Sequence, residues 1–572
     1  MSDETAHPRD EGDEAPKLID EIDYEVGQDN YTTEIAGLGI DIHNPVFPIA
    51  GLSVVLFVII TLFAPETATD AFLGLRDWLT GNFSWFFILA GDIFVLFGIV
   101  LIFTPLGKVR LGGKDARPEY GYAGWFAMLF AAGMGIGLMF YGVSEPLSHF
   151  STSLADTAGT PESWAPLNGA PGDEAAARDL GMAATIYHWG LHPWAIYAVV
   201  ALALGLFSYN KGLPLSIRSA FYPVFGDRVW GWTGHIIDVV AVFATLFGLA
   251  TSLGLGAEQA VAGLDFLFGS GDVVDNSRQV FGFSYNNPLF NPAGDEIGRT
   301  GATIKVLLIL LITGIATVSV LAGLDGGVKR ASEINMVLAT LLLLFVLFVG
   351  PTAAILTNFV TSLWAYVTNF AALSNPFGRT DANFSQGWTA FYWAWWISWS
   401  PFVGMFIARV SRGRTVREFI ICVMLIPSLV CVLWMSIFGG AAIFQVVQDG
   451  FLGAAEAALP VQLFEMLSQL PLASITSLIG IVLVIVFFVT SSDSGSLVVD
   501  TITSGGKLEG PLAQRVFWCV FEGLVAIALL LGGGLAALQA MAVATGFPFT
   551  ILLLIMCFCI VKVLRSEHRG EP

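Results

Sequence analysis

Twelve apolar segments constrain this chain more than any other feature of its sequence. A helix needs about 20 apolar residues to cross the hydrocarbon core of a bilayer, whereas barrel strands would be shorter and would alternate. We therefore predict an all-α integral membrane protein with twelve transmembrane helices. The segments lie near residues 46–65, 83–105, 121–142, 182–207, 234–257, 302–323, 332–356, 387–410, 418–445, 473–500, 513–537 and 540–563.

Composition argues against the soluble alternatives. Charged residues make up 13% of the 572 residues and hydrophobic residues 55%, whereas soluble domains carry about 25% charged residues. The formal net charge of −20 removes the basic surface that a nucleic-acid-binding protein needs. All five cysteines lie inside apolar segments without metal-ligand spacing, so we expect no cofactor.

Lysine and arginine in the connections predict the orientation, because cytoplasmic connections are the more basic ones. Pairs such as Lys329 and Arg330 fall on one side, which places both termini in the cytoplasm and the long connections 143–181 and 258–301 outside. We predict an acidic disordered cytoplasmic tail over 1–45, a twelve-helix membrane domain over 46–563 and a short cytoplasmic tail over 564–572. Residues 357–372 are too polar to span and predict a helix on the outer surface.

Two of the twelve segments contain helix-breaking residues. Gly133, Gly135 and Gly137 interrupt the third segment, and Pro401 lies in the eighth, five segments later. Broken helices at membrane depth line cavities and recur at corresponding positions of internal repeats. This spacing suggests repeats at about 121–356 and 387–563. The alternative for the glycines is close helix packing through small residues.

Tryptophan is concentrated in the fourth and eighth segments. Trp395, Trp399 and Phe402 share one helical face, and Trp194 and Tyr197 share another. An aromatic cage binds a quaternary ammonium, which has no hydrogen-bond donor. A zwitterion would also need donors for its carboxylate, either indole N–H groups or half-helix N-termini. Interfacial belts and core packing remain the alternatives.

Hydroxyls and ionisable groups at membrane depth are further candidates. The tenth segment carries Thr490, Ser491 and Ser492, whose oxygens would suit Na⁺, although such hydroxyls also bond back to their own helix. A His188–His192 pair lacks a third metal ligand. The ionisable groups that we single out are Asp92, Glu145, His188, His192, Asp238 and Asp493.

Three stretches resemble the betaine/choline/carnitine transporter family, most closely its sodium-coupled glycine betaine symporters. They read AAGMGIGLMFYGVSEPL, HWGLHPWAIYA and FYWAWWISWSPFVGMFIARVSRGRTVREF. The resemblance covers about residues 46–563. It implies two inverted five-helix repeats in the LeuT-like arrangement after two extra N-terminal helices. It also implies a homotrimer in the cell membrane, with residues 357–372 at the trimer contact.

The resemblance also implies site residues. One sodium ion would bind at the backbone carbonyls of Ala131, Met134 and Phe487 and at the hydroxyls of Thr490 and Ser491. The second family site would use Thr245 and Phe402, but this chain has Leu249 where the family has a second hydroxyl. The residues expected to line the solute path are Trp189, Trp194, Tyr197, Trp395, Trp396, Trp399, Met134, Gly135 and Gly137.

We therefore expect a secondary transporter, not an enzyme, that couples uptake of a compatible solute to Na⁺ by alternating access. Glycine betaine is the expected solute, because choline carriers of the family tend to have Asp where this chain has Gly137. The alternatives are a sodium-independent exchanger, a carrier of ectoine, proline, carnitine or choline, a membrane enzyme that acts on choline compounds, and a membrane osmosensor.

Overall fold

The computed structural model describes residues 24–35, 38–133, 135–155, 164–269, 279–280, 283–284, 297–322, 328–507 and 510–569. Two short hairpins accompany the helices: β1 (Asn30–Ile35) pairs antiparallel with β2 (Leu38–His43), and β3 (Gln279–Val280) with β4 (Phe283–Ser284). The α-helices are α1 (Val46–Phe63), α2 (Pro65–Phe103), α3 (Tyr122–Gly133), α4 (Ile136–Ala155), α5 (Glu174–Trp189), α6 (Leu191–Gly205), α7 (Tyr222–Phe225), α8 (Trp232–Phe268), α9 (Ile297–Ala322), α10 (Val328–Val349), α11 (Thr352–Leu373), α12 (Ala390–Val410), α13 (Val416–Gln448), α14 (Gly453–Glu456), α15 (Gln462–Ser468), α16 (Ala473–Thr503) and α17 (Leu512–Arg569).

The prediction of an all-α membrane protein is confirmed in its class. Each predicted apolar segment is helical over most of its described length. Nine helical stretches of the described chain are long and apolar enough to cross a membrane. The eleventh and twelfth segments both lie in α17, which is kinked at Gly534, where φ is 61°.

Several predicted boundaries are wrong by a few turns. The third segment was expected to end at 142, but α4 continues to Ala155 and so carries Glu145 inside a buried helix. The seventh was expected to reach 356. Instead α10 ends at Val349, before Gly350 and Pro351, and α11 begins at Thr352, because proline ends one helix and is well suited to precede the next. The predicted C-terminal tail is helical as far as Arg569.

The N-terminal prediction is wrong for the part of the tail that the structure describes. Residues 24–35 and 38–45 were expected to be disordered, but β1 and β2 dock on the connection between α16 and α17. Asn30 Nδ2 donates to Ser504 O (2.9 Å), and Lys507 Nζ donates to the Asp41 carboxylate. Burial alone would raise the pKa of Asp41, but hydrogen bonds from Lys507 and Asn30 hold that pKa below its usual range. Residues 1–23 lie outside the described part.

The helices form a buried centre and an apolar exterior. In α6, 14 of 15 residues are buried, and in α12, 16 of 21. These two helices approach closely at Gly404, where a Cβ would lie 2.6 Å from the Val200 side chain. The outer helices expose leucine, isoleucine and phenylalanine, a surface that suits lipid rather than water. Examples are Leu52, Ile60, Leu307, Leu311, Leu341 and Phe348.

Candidate functional site

A cavity of about 700 Å³ lies beside the interrupted third segment, among α3, α4, α5, α6, α10, α12 and α16. Most residues singled out in the sequence meet there, although they come from distant parts of the chain. Met134 lies outside the described residues, and the cavity lining includes Phe402 but not Thr245. The predicted residues that line the cavity are Ala131, Gly135, Gly137, Trp189, Trp194, Tyr197, Trp395, Trp396, Trp399, Phe402, Phe487, Thr490 and Ser491.

The end of α3 and the start of α4 meet at this cavity. α3 ends at Gly133 and α4 begins at Ile136, with Gly135 and Gly137 both in the cavity wall. The first amides of α4 have no carbonyl partner within the helix, so this end carries the positive pole of the helix dipole.

A second break at Gly190 separates α5 from α6. The sequence analysis missed this break, although Gly190 and Pro193 signal it.

Aromatic rings from α5, α6 and α12 form an aromatic box of Trp189, Trp194, Tyr197, Trp395 and Trp396. The Trp395 and Trp396 rings stack with centroids 4.8 Å apart, and Trp189 meets Trp396 edge-on at 4.9 Å. Tyr197 meets Trp194 at 5.3 Å and Trp396 at 6.2 Å. Such an arrangement offers ring faces to a cation.

Trp399 belongs to a different part of the cavity wall. Its ring contacts Phe402, with centroids 5.4 Å apart, one turn further along α12 than the box. The shared face of Trp395, Trp399 and Phe402, expected from helical spacing, therefore extends along the cavity. It does not form a single cage.

Three of the four indole N–H groups of the box donate to oxygen atoms of the protein. Trp396 Nε1 donates to His188 O (3.0 Å), Trp395 Nε1 to Ser252 Oγ (3.1 Å) and Trp189 Nε1 to Glu145 Oε2 (2.6 Å). Two donor sets were considered for a solute carboxylate, the indole N–H groups and the N-terminus of a half-helix. These three indoles already have acceptors in the protein. The N-terminus of α4 therefore remains the better-placed donor.

Glu145 lies behind the box and is fully buried. Its Oε2 accepts from Trp189 Nε1 and from the Tyr392 hydroxyl (2.5 Å), and its Oε1 lies 2.6 Å from His188 Nδ1 and 3.3 Å from His149 Nε2. One carboxylate thus connects α4, α5 and α12. The sequence analysis singled out Glu145 and His188 but missed His149 and Tyr392, because their contacts depend on how the helices pack.

The Glu145, His149 and His188 ligand atoms lie within 4.8 Å of one another, a spacing that a metal ion could use. However, each carboxylate oxygen of Glu145 already has two partners among side chains of the protein, which fits a hydrogen-bonded cluster. His192 does not join His188, since its Nε2 lies 3.0 Å from Asp92 Oδ1. Asp238 pairs instead with Arg218 (2.6 Å).

Four of the five residues expected around one sodium ion line the cavity, and the fifth, Met134, lies outside the described residues. The four are Ala131, Phe487, Thr490 and Ser491. Thr490 Oγ1 donates back to Val486 O (3.0 Å) and Phe487 O (3.2 Å), as membrane threonines often do. This bond uses the hydroxyl proton and leaves oxygen lone pairs, so the donor set still suits a hard cation.

The expected second sodium pair is not brought into one cavity. Thr245 is buried, and its hydroxyl donates to Ala241 O (2.7 Å). Leu249, at the departing position, packs against α16, where a Cβ at Gly495 would lie 2.3 Å from the leucine side chain. An aliphatic side chain therefore occupies the place of the second hydroxyl.

Comparison with known proteins finds relatives that match almost the whole chain. The chain matches the profile described as BCCT, betaine/carnitine/choline family transporter, over residues 45–281 and 293–569. It is 60% identical over 552 residues to a glycine betaine/proline/choline transporter of Vibrio parahaemolyticus, which covers 96% of this chain and 95% of the relative. It is 50% identical over 555 residues to a glycine betaine/proline/choline/ectoine transporter of the same organism, covering 96% of this chain and 91% of the relative. A glycine betaine transporter of Bacillus subtilis, OpuD, is 40% identical over 512 residues, covering 89% of this chain and 92% of the relative.

Proposed function

The chain belongs to the betaine/carnitine/choline transporter family, and on this premise we propose that it takes up glycine betaine, or a closely related solute, in symport with Na⁺. The family and the relatives are transporters and not enzymes, and the chain is a multi-pass membrane protein. Coupling to Na⁺, alternating access and the preferred solute are the parts that we propose.

The observation that carries the proposal is the aromatic box beside the N-terminus of α4. A quaternary ammonium binds ring faces, and the centroid of the Trp396 ring lies 4.8 Å from that of Trp395 and 4.9 Å from that of Trp189. A carboxylate at the other end of the solute binds the amides at the start of α4, near Gly137. A zwitterion of one ammonium and one carboxylate matches both ends.

Sodium would bind next to this solute site. Ala131 and Phe487 would contribute backbone carbonyls, and Thr490 and Ser491 hydroxyls, from the same cavity wall. Because Na⁺ holds α3 and α16 together at the solute cavity, binding of the two ligands is cooperative. One charge that crosses a membrane at 100 mV gains about 2.3 kcal/mol, which supports roughly fifty-fold accumulation of solute.

The cavity continues away from the box toward Met128, Phe406 and Ser332. Phe406 and Ser332 lie near the ends of α12 and α10 that adjoin basic connections, and Met128 lies in the middle of α3, one turn closer than Ala131 to the basic connection that precedes this helix. On the other side of the box, the buried Glu145 cluster joins α4, α5 and α12. We assign this conformation as inward-open, with both termini and the basic connections in the cytoplasm and twelve spans across the bacterial cell membrane.

The repeats and the trimer follow as part of the same proposal. α3 and α4 begin the first inverted repeat and α12 the second, after two extra helices, α1 and α2. The exposed face of α11 carries Leu356, Val360, Trp364 and Val367, and the Trp364 side chain is 69% exposed. We propose that this apolar face packs against a second copy in a homotrimer.

The relatives' printed names widen the candidate solutes to proline, choline and ectoine. Gly137 favours the zwitterions. An Asp at this position would place a carboxylate beside the box for a purely cationic solute, and glycine does not. A sodium-independent exchanger would use the same box. It would have no use for the hydroxyls of Thr490 and Ser491 at the cavity.

Binding to purified protein tests the solute assignment. Glycine betaine should change the tryptophan fluorescence of the wild type in Na⁺, and Trp396→Ala should weaken its binding. Trp232→Ala, which removes an exposed tryptophan, is the matched control and should bind normally. Equal affinities in wild type and Trp396→Ala would refute the box, and competition by choline, proline and ectoine ranks the solutes.

A further inference from the structure

Glu522 is a carboxylate at membrane depth without a hydrogen-bond partner among the described residues. It lies in the first half of α17, about ten residues from the start of the predicted eleventh span. Its side chain is 1% exposed, and neither Oε1 nor Oε2 accepts a hydrogen bond from any described residue. The sequence analysis did not single it out, although an ionisable group inside a span is a functional candidate by default.

The surroundings of Glu522 are polar and come from three packed helices, α9, α16 and α17. Asp493 of α16 is buried and accepts from Ser319 Oγ of α9 (3.3 Å). Thr313 of α9 is also buried, and its hydroxyl has no partner in the described structure. That hydroxyl lies against the backbone beside Glu522, since a Cβ at Gly523 would be 2.3 Å from Thr313 Oγ1.

Among the described residues, no cation acts on Glu522 itself, although Arg515 acts on Asp493. Asp493 acts on Glu522 as a like charge, and Cys519 of α17 adds a neutral thiol. The nearby cation on α17, Arg515, is bonded to Asp500 (3.4 Å). The described part of α9 contributes the hydroxyls of Thr313 and Ser319, and its cation Lys305, earlier in the helix, is paired with Glu258 (2.7 Å). An ionised carboxylate in such a place is costly unless a cation neutralises it.

This cluster is separate from the proposed sodium site, yet it shares one turn of α16 with it. Thr490, Ser491 and Ser494 face the solute cavity, whereas Ser492 and Asp493 face α9 and α17. Carboxylate and hydroxyl oxygens are the ligands that hard cations take.

We propose that Glu522 is the principal ligand of a second site for a monovalent cation, with Asp493 and Thr313 beside it. This inference rests on the proposed function, because it supplies the second coupling ion for which Leu249 leaves no place near Thr245. Na⁺ and a proton share the chemistry that the site requires, a single positive charge on the carboxylate, and the experiment separates them.

Thermal unfolding of purified protein tests binding at the site. Na⁺ should still stabilise Thr490→Ala and should no longer stabilise Thr490→Ala combined with Glu522→Gln. If the cation is a proton, acidification at fixed Na⁺ should stabilise the wild type but not Glu522→Gln. Glu258→Gln is the matched control, because that carboxylate already has a partner in Lys305 (2.7 Å).

Accumulation in proteoliposomes tests coupling. At an imposed potential of 100 mV, loss of one coupled charge lowers accumulation of glycine betaine roughly fifty-fold, which we expect in Glu522→Gln and not in Glu258→Gln. A Glu522→Gln protein that matches the wild type in its Na⁺ response, pH response and accumulation overturns the proposal. If the wild type fails to couple uptake to any cation, but its unfolding still depends on cation through Glu522, the site stands and the symport does not.

Discussion

Gly137 provides a quantitative test of the aromatic box. A Cβ placed there would lie 2.9 Å from Cη2 of Trp189 and 2.9 Å from Cη2 of Trp395. Carbon atoms in good contact are about 3.5–4.0 Å apart, so Gly137→Ala requires both rings together to give at least about 0.6 Å at each contact. Neither ring can recede freely, because Trp189 is bonded to Glu145 and Trp395 to Ser252.

Extra atoms in a tightly packed place cost about 1–3 kcal/mol. Because the strained rings are walls of the box, we expect that cost to fall mainly on solute binding. It corresponds to roughly 5- to 150-fold weaker affinity for glycine betaine. The fold should survive, since alanine is a good helix former and Gly137 lies inside α4.

The assay is titration of purified protein with glycine betaine at saturating Na⁺. Gly135→Ala is the matched control, because the same change two residues away meets no atom within 4 Å among the described residues. We expect at most a few-fold change for it. Equal losses in both variants would refute the steric argument and would point to flexibility of the glycine stretch instead. Normal affinity in Gly137→Ala would contradict the box as drawn.

Three other changes probe the sodium site, the carboxylate behind the box and the N-terminal hairpin. Thr490→Ala should raise the Na⁺ concentration for half-maximal uptake, whereas Thr545→Ala, another membrane threonine bonded back to its helix, should leave it unchanged; identical sodium curves would argue against the site. Glu145→Leu leaves four side chains without their partner, at a cost of about 1–3 kcal/mol each. The unfolding temperature of Glu145→Leu should therefore fall well below that of Glu145→Gln, which conserves the shape of the side chain, and equal unfolding temperatures would count against the cluster. Lys507→Ala removes a donor to Asp41 and should speed proteolysis within residues 24–43, and an unchanged cleavage rate would mean that the ion pair does not hold the hairpin.

Hydrophobic length and turn chemistry predicted the helices well, because a membrane helix satisfies its own backbone. They failed where tertiary contacts decide. The local sequence does not predict that α4 continues past residue 142. Burying the Glu145 carboxylate is costly unless Trp189, Tyr392 and two histidines hydrogen-bond to it, and those contacts form only when the helices pack. The acidic composition of residues 1–45 similarly hid the hairpin, whose docking depends on Lys507 and Ser504, more than 450 residues away.

The sequence predicted which residues line the candidate site but not how their rings are arranged. Tryptophan density and the glycine stretch identified residues that do line one cavity. Helical spacing alone grouped Trp399 with Trp395, whereas the rings that stack are Trp395 and Trp396, which are adjacent in sequence. Glu522 is visible in the sequence as an ionisable residue inside a span, but only packing shows that it lacks a partner among the described residues.

The most direct test of the account is uptake of labelled glycine betaine into proteoliposomes with an inward Na⁺ gradient, compared with an equal K⁺ gradient. We predict accumulation above the external concentration only with Na⁺, increasing when the interior is made negative. Uptake that is equal in Na⁺ and K⁺ and proceeds only against internal betaine would contradict symport and would identify an exchanger.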